Sequence, residues 1–386
     1  MNCLNKFFLS SIFFIGLFFT SCEEKKQISN AADIFEKLAD SNSISKVQYA
    51  KGFDIYKADG ITKLVIYKPQ SNSEVLKTYF LADNETVDKF GFAQGFTVVP
   101  LDSVAVFSGT QLNAMKNLHL LEKLVGVSES DYILDAEIRK RITDGYVTEL
   151  ASNGNFYVER TLQLSPSVIF HSPYQANESN PLAATKIPMV PFFDFMENDP
   201  LGRAEWLKFT AVFFGKEKEK AAEKQFNTIV KQYKMYKNLA SEAKEKPTVF
   251  SDKYFSGQWY VAGGQSYIAT LFKDAGADYL WKDDTHNASF PLDYETVFSK
   301  AHNADFWRIV LSFDDKPSYD KLATENELYT HFAAFKNRKI IWCDAQKTAY
   351  FEKSSLEPHI VLADFIKVFH PQLLPDYEPR YYLTLP

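Results

Sequence analysis

The chain has 386 residues, of which 46% are hydrophobic and 16% aromatic, with a formal net charge of −6 at pH 7. That length allows two domains and a large core. Mild acidity without a basic cluster argues against a nucleic-acid partner and against electrostatic attachment to anionic lipid.

Residues 1–21 read as an export signal: Lys6 precedes an apolar run from Phe7 to Phe19, and Thr20, Ser21 and Cys22 follow. The run is short for a spanning helix, which needs about 20 apolar residues, and fits a secretory signal. Its ending, Phe-Thr-Ser-Cys, resembles the lipobox of bacterial lipoproteins, whose cysteine is acylated and becomes the mature N-terminus. Cys22 is therefore the expected lipidation site; an ordinary signal with an incidental cysteine is the plainer alternative. With Cys3 removed and Cys22 acylated, Cys343 is the only thiol left in the body, and an exported chain without disulfides must be held by its core.

Residues 22–45 are a polar tether ending in a short helical pattern. The stretch GFDIYKADGITKLVIYKPQ alternates apolar positions around Asp59-Gly60, a strong hairpin signal, and residues 46–95 are assigned to an N-terminal β-hairpin extension. Two α/β blocks, 96–215 and 246–386, alternate short apolar strands with helical patterns, which implies parallel sheets. The strands of the first are TVVPLDSVAVFS, LVGVS and SVIFHS, with Leu112, Met115, Leu118, Leu121 and Leu124 at helical spacing between the first two. Those of the second are PTVFSD, WYVAGG, FWRIVLS and KIIWCD.

Between the blocks, Lys216 to Ala243 contains neither Gly nor Pro and carries a stripe of Phe226, Ile229, Val230, Tyr233, Tyr236 and Leu239 under a lysine-rich face. As one helix it would span about 40 Å, and residues 216–245 are assigned to it. The expected fold is α/β, with two lobes built on parallel-type central sheets, joined by one long α-helix with a cleft between them, plus the hairpin extension.

A corner occurs twice. NFYVERTLQLSPSVIF sets Glu159 ahead of Leu162 and Leu164, and PLDYETVFSKAHNADFWRIVLS sets Glu295 ahead of Val297 and Phe298. Each carboxylate falls in the first turn of a helix, where the dipole favours negative charge; ordinary helix starts would look the same. There is no G-x-S-x-G elbow, H-E-x-x-H, phosphate loop or dinucleotide fingerprint, so no catalytic residue is assigned and an enzyme is not expected. The seven histidines are scattered, with no pair at helical metal spacing, so no protein-bound metal is expected. Cys343, after the strand IIWCD, reads as a small buried residue.

The order of these elements resembles the substrate-binding proteins of ABC importers for iron chelates and vitamin B12, the helix-bridged class of periplasmic binding proteins. VVPLDSVAVFSGTQLNAMKNLHLLEKLVGVSESDY is similar to the opening strand, helix and strand of that family. NFYVERTLQLSPSVIFHS is similar to its motif of a glutamate, a helix, then Pro-x-x-Val-Ile, and PLGRAEWLKFTAVFFGKEKE to the segment before its long helix. The hairpin departs from the minimal pattern and is treated as an addition packed on the first lobe. The resemblance implies capture of a ferric siderophore or a corrinoid in the cleft and delivery to an ABC permease dimer, with Glu159 and Glu295 docking one lobe each into arginine pockets of the two permease subunits. Two like sites suit a two-fold partner. It further implies a monomer lipid-anchored to the cell envelope, facing the periplasm, with no cofactor of its own. A surface capture lipoprotein for haem or another large organic ligand, working without an importer, is the alternative, and the glutamate pair separates the two.

The ligand is expected at loops near the C-terminal ends of the strands: Ser108, Thr110, Tyr132, Asn155, His171 and Tyr174 in the first lobe, and Tyr254, Trp259, Asn287, Phe290, Lys347 and Tyr350 in the second. The recurring aromatics suit a large, partly apolar organic ligand. These loops contain no arginine, which tilts the expectation from carboxylate siderophores toward neutral hydroxamate chelates or a corrinoid; haem would use His171 or a tyrosine on its iron.

Overall fold

The computed structural model describes residues 30–39, 44–69, 71, 73–91, 93–173, 180–311 and 317–386. The signal segment with Cys22, and Tyr174, lie outside the described residues.

The described chain opens with α1 (Ala31–Leu38), capped by Asn30, whose side chain accepts the Asp33 N–H. Strands β1 (Phe53–Ala58) and β2 (Ile61–Tyr67) meet at Asp59-Gly60, where φ is 42° and 85°, the backbone that a two-residue hairpin turn requires and that Asp-Gly favours. β3 (Val75–Ala82) adds antiparallel to β2, and after α2 (Asn84–Lys89) β4 (Phe96–Val98) adds parallel to β3. The hairpin is thus half of a four-stranded sheet. The single strand expected over TVVPLDSVAVFS is divided: Thr97 and Val98 belong to this sheet, and β5 (Val104–Val106) begins the next. Pro100 stands between them, and proline has no N–H to continue a ladder.

One face of the N-terminal sheet, with Phe53, Ile55, Leu64 and Ile66, shares a core with the first lobe. The other is covered by Ile34 and Phe35 of α1. Two buried glutamates fasten the irregular segment that leads into β1. Glu205 accepts the N–H groups of Gln48 (3.0 Å), Tyr49 (2.7 Å) and Ala50 (3.0 Å). Glu197 accepts those of Lys51 (3.0 Å), Gly52 (2.8 Å) and the Trp206 indole (3.0 Å). A carboxylate survives burial when donors satisfy it.

The first lobe continues through α3 (Gly109–Asn117), β6 (Leu124–Ser128), α4 (Ala136–Thr143), β7 (Thr148–Ser152), β8 (Asn155–Phe156), α5 (Val158–Leu164), β9 (Val168–His171) and β10 (Met189–Pro191). Its sheet has the order β10-β9-β5-β6-β7-β8, parallel except for β8. The chain leaves β5 toward β6 on one side and returns to β9 on the other, so the strand order reverses at β5. Helix α3 stops earlier than the leucine spacing predicts, because His119 adopts φ 52° and Leu124 starts β6.

Helix α6 (Pro200–Ala211), capped by Asp199, leads to α7 (Lys216–Ala240). At 25 residues, α7 spans about 38 Å and ends just short of the expected Ala243. Its Ala222 packs in the core of the first lobe, while Phe226, Ile229 and Tyr233 pack in that of the second, so one rigid rod is embedded in both.

The second lobe follows as β11 (Thr248–Ser251), β12 (Tyr254–Phe255), β13 (Gln258–Ala262), α8 (Tyr267–Asp274), β14 (Asp278–Tyr279), β15 (Ser289–Leu292), α9 (Tyr294–Ala301), β16 (Phe306–Leu311), α10 (Tyr319–Glu325), α11 (Ala333–Lys336), β17 (Ile340–Asp344), α12 (Tyr350–Lys353), α13 (Pro358–Phe369) and β18 (Leu383–Thr384). The main sheet runs β14-β11-β16-β17-β18, parallel except for β18. WYVAGG, expected among these strands, supplies β13 of a separate antiparallel sheet, β12-β13-β15. Its alternation of buried Trp259 and Val261 with exposed Tyr260 is that of a strand covered on one face.

Candidate ligand-binding cleft

The reversal of strand order at β5 places a crevice at its C-terminal end, where open α/β sheets bind ligands. Ser108 caps α3 there, its Oγ 2.9 Å from the Thr110 Oγ1. Glu129 follows β6 in a left-handed conformation (φ 50°) and accepts the Asn153 N–H at 3.0 Å. Tyr132 lies just beyond, 73% exposed. Ser172 follows β9, and Asp194 enters from the turn before α6.

The second lobe closes the crevice with α12. Ala349, at φ 52°, starts that helix so that Tyr350 turns into the core and Phe351 out of it, 65% exposed. Glu352 reaches the first lobe and accepts the Leu134 N–H at 2.6 Å. Together these residues line a cavity of about 450 Å³, inside the roughly 300–1,000 Å³ usual for small-molecule sites.

Desolvation raises the Asp194 carboxyl from its ordinary range, opposed by Arg203 and Thr110, and burial likewise raises that of Glu352. Arg203 Nε lies 3.6 Å from Asp194 Oδ2, and its guanidinium stands 5.1 Å from the Tyr267 ring. Asp194 Oδ2, Arg203 Nε, the Tyr267 hydroxyl, Ser172 Oγ and both amide atoms of Gln111 on α3 are buried without a hydrogen-bond partner. Buried polar groups are normally paired; of these, Ser172 and Asp194 line the cavity and can hydrogen-bond a bound molecule.

Of the residues predicted from sequence, the cavity gathers Ser108, Thr110 and Tyr132. His171 ends β9, half-buried beside Ser172. Asn155 is exposed on β8, at the far edge of the sheet. In the second lobe the expected residues do not converge. Trp259 is fully buried in the aromatic core, its indole N–H donating to the Ser251 carbonyl at 3.0 Å, and Tyr350 is buried edge-on to Tyr382. Tyr254 sits in β12, Phe290 stacks on His286 at 4.5 Å, and Lys347 pairs with Asp344 at 3.1 Å. Asn287 lines a separate recess of about 220 Å³ with Gln265 and Asp199.

Sequence reasoning missed Glu129, Ser172, Asp194, Phe351 and Glu352. Glu129, Ser172 and Phe351 lie in the loops that carry expected contacts, SESDY with Tyr132, HSPYQ with His171 and Tyr174, and DAQKTAYF with Lys347 and Tyr350, but on neighbouring positions. Arginine, absent from those loops, is supplied by regular elements: Arg203 from α6 and Arg308 from β16. Arg308 is neutralised by Asp252 at 2.8 Å and held by the Tyr382 hydroxyl, and neither arginine lines the cavity.

A larger groove of about 960 Å³ runs between the Asp59-Gly60 turn and the start of α7. Within it Lys57 pairs with Glu219 and Lys208 with Glu223 (2.9 Å), and it lies against the N-terminal sheet rather than between the lobes. Cys343 is buried, its thiol pushed up to about 12 by desolvation, which keeps it unreactive. Among the described residues no group of three or more His, Cys, Asp or Glu forms a metal site, and no helix is long and apolar enough to cross a membrane.

Glu159 and Glu295 occupy equivalent places. Each is the second residue of its helix, α5 or α9, each helix follows a short strand, and each carboxylate is exposed. Neither makes an ion pair or hydrogen bond among the described residues.

Two lobes on mostly parallel sheets, a rigid connecting helix and a cavity lined from both sides define a cleft-type binding protein. The chain belongs to the periplasmic binding protein family, which matches residues 104–347. It is similar to an uncharacterized lipoprotein of Methanocaldococcus jannaschii, 27% identical over 300 residues, covering 74% of this chain and 69% of the relative. It shares its fold with the siderophore binding protein BauB bound to a complex of two acinetobactin molecules and ferric iron (TM-score 0.55, 19% identity, 80% of this chain and 99% of that one). The same holds for S. aureus IsdE complexed with heme (TM-score 0.54, 17% identity, 69% and 98%).

Proposed function

We propose that this chain is the substrate-binding component of an ABC importer, anchored to the cell envelope through Cys22, which captures an iron chelate or a corrinoid between its lobes and delivers it to a permease. The observation that carries this reading is the cavity at the β5 crossover, lined by Ser108, Thr110 and Tyr132 from one lobe and Phe351 and Glu352 from the other. A site divided between lobes senses occupancy, because only a ligand touching both sides stabilises the closed arrangement. The lipoprotein relative and the siderophore- and haem-bound structures of the same fold support it.

Glu159 and Glu295 are the docking carboxylates of this account, one per lobe. Of the boundaries expected from sequence, the N-terminal unit of this account extends past residue 95 through β4 to Val98, the connecting helix shortens from 216–245 to Lys216–Ala240, and the lobes lie on either side of it. Native mass spectrometry of protein purified from iron-starved cells and from corrinoid-fed cells tests the reading. A co-purified chelate or corrinoid mass is the expected result; a haem adduct would favour a haem-capture role, and bare protein under both conditions would contradict the account.

A further inference from the structure

The interlobe cavity is acidic and aromatic at once. Its lining carries three carboxylates, Glu129, Asp194 and Glu352, and no lysine, arginine or histidine. Glu129 and Glu352 are held by the backbone N–H groups of Asn153 (3.0 Å) and Leu134 (2.6 Å), bonds that orient a carboxylate without neutralising it. Neither forms an ion pair among the described residues. Asp194 is 2% exposed and keeps Oδ2 without a hydrogen-bond partner; Arg203, 3.6 Å away, compensates that one carboxylate alone.

Tyr132 and Phe351 come from opposite lobes and keep 73% and 65% of their surface exposed while lining the same cavity, so they stand at its open rim. Exposed aromatic faces attract organic cations through the ring quadrupole. Fixed carboxylates in a partly desolvated space attract them more strongly than they would in water. An anionic ligand would instead meet the unpaired Glu129 and Glu352 and no basic side chain in the lining.

Resting on the importer reading, we propose that the ligand carries a positively charged group, a protonated amine or quaternary ammonium, seated between Tyr132 and Phe351 against Glu129 and Glu352, and that polyanionic chelates are rejected. A cation there also relieves the cost of holding carboxylates in a desolvated cavity.

Two probe pairs test this by calorimetry at pH 7. The first is a ferric trihydroxamate chelate with a terminal primary amine and the same chelate with that amine succinylated; the second is phenethylamine and 3-phenylpropanoate. The amine-bearing chelate is expected to bind at least tenfold more tightly than its succinylated form, and the Glu129→Gln/Glu352→Gln double variant to reduce that preference below threefold. If neither chelate binds while phenethylamine binds the native protein better than 3-phenylpropanoate, the charge assignment stands and the iron-chelate reading falls. Equal or tighter binding of the succinylated chelate overturns the proposal and leaves the importer reading standing. Absence of binding by all four probes overturns it as well.

Discussion

Glu205→Gln is the substitution that most directly probes how the N-terminal sheet is attached. The native carboxylate, fully buried, takes three consecutive backbone N–H groups and the Lys208 ammonium at 3.0 Å. Oε2 alone accepts the Gln48, Tyr49 and Ala50 N–H groups, so an amide oxygen in its place keeps them, but the NH₂ then replaces Oε1 facing the Gln48 N–H and the Lys208 ammonium, and removing one partner of a buried ion pair costs about 3–5 kcal/mol. Lys208 keeps Glu223 at 2.9 Å, which places the expected loss at the low end, about 3 kcal/mol in urea unfolding. Amide exchange at Gln48–Ala50 and through Phe53–Ala58 should accelerate before the rest of the protein. The exposed Glu159→Gln control should stay within about 0.5 kcal/mol. A loss below about 1 kcal/mol with unchanged exchange would show that packing of Phe53 on Trp206 (4.8 Å) holds the sheet and that the clamp reasoning is wrong.

Glu159→Ala with Glu295→Ala should leave melting and ligand affinity intact while uptake through the permease falls, most in the double variant, because exposed carboxylates contribute about 0.2–1 kcal/mol to a fold but roughly 1.5–7 kcal/mol as close charge pairs at an interface; unchanged uptake would make them ordinary helix starts. Cys22→Ala should move the protein from the membrane to the soluble fraction, and an unchanged membrane-bound fraction would rule out lipidation there. Trp259→Ala should cost about 3–5 kcal/mol as a core deletion, whereas Tyr132→Ala should spare stability and weaken ligand binding; the opposite pattern in binding assays would return Trp259 to the cleft. Burial pushes the His359 imidazole down from 6.5 to about 4, so the folded state binds this proton less readily than the unfolded chain. Its contribution is full above pH 6.5 and is lost as pH falls toward 4; urea midpoints of His359→Gln should fall less steeply across that window, and an unaltered slope would contradict the assignment.

The framework was legible where periodicity is long or turn chemistry is specific. The Asp59-Gly60 turn, the apolar runs of β9, β16 and β17, and the Gly- and Pro-free stripe of α7 each have a local cause, and the structure keeps them. The site was legible only to the level of loops. Which residue of DAQKTAYF faces the cleft depends on the left-handed Ala349, which rotates α12 so that Phe351 rather than Tyr350 points outward, and no spacing rule reveals that turn. Asp194 lies in a short turn without periodic pattern and becomes part of the site only because α6 folds back beneath α3. Trp259 misled because alternation marks a half-covered strand without saying which face is covered. The division between β4 and β5 follows from tertiary pairing, since either half of TVVPLDSVAVFS could have continued the same strand up to the proline.

The central claim is that the ligand sits between the lobes and not in the larger groove beside the N-terminal sheet. Hydrogen exchange compared between protein carrying its co-purified ligand and the same protein emptied by mild denaturant and refolding tests it most directly. Slowed exchange at residues 108–112, 128–134 and 350–353, from both lobes together, is the expected result. Protection confined to residues 57–62 and 212–220, with none at Ser108 or Glu352, would contradict it.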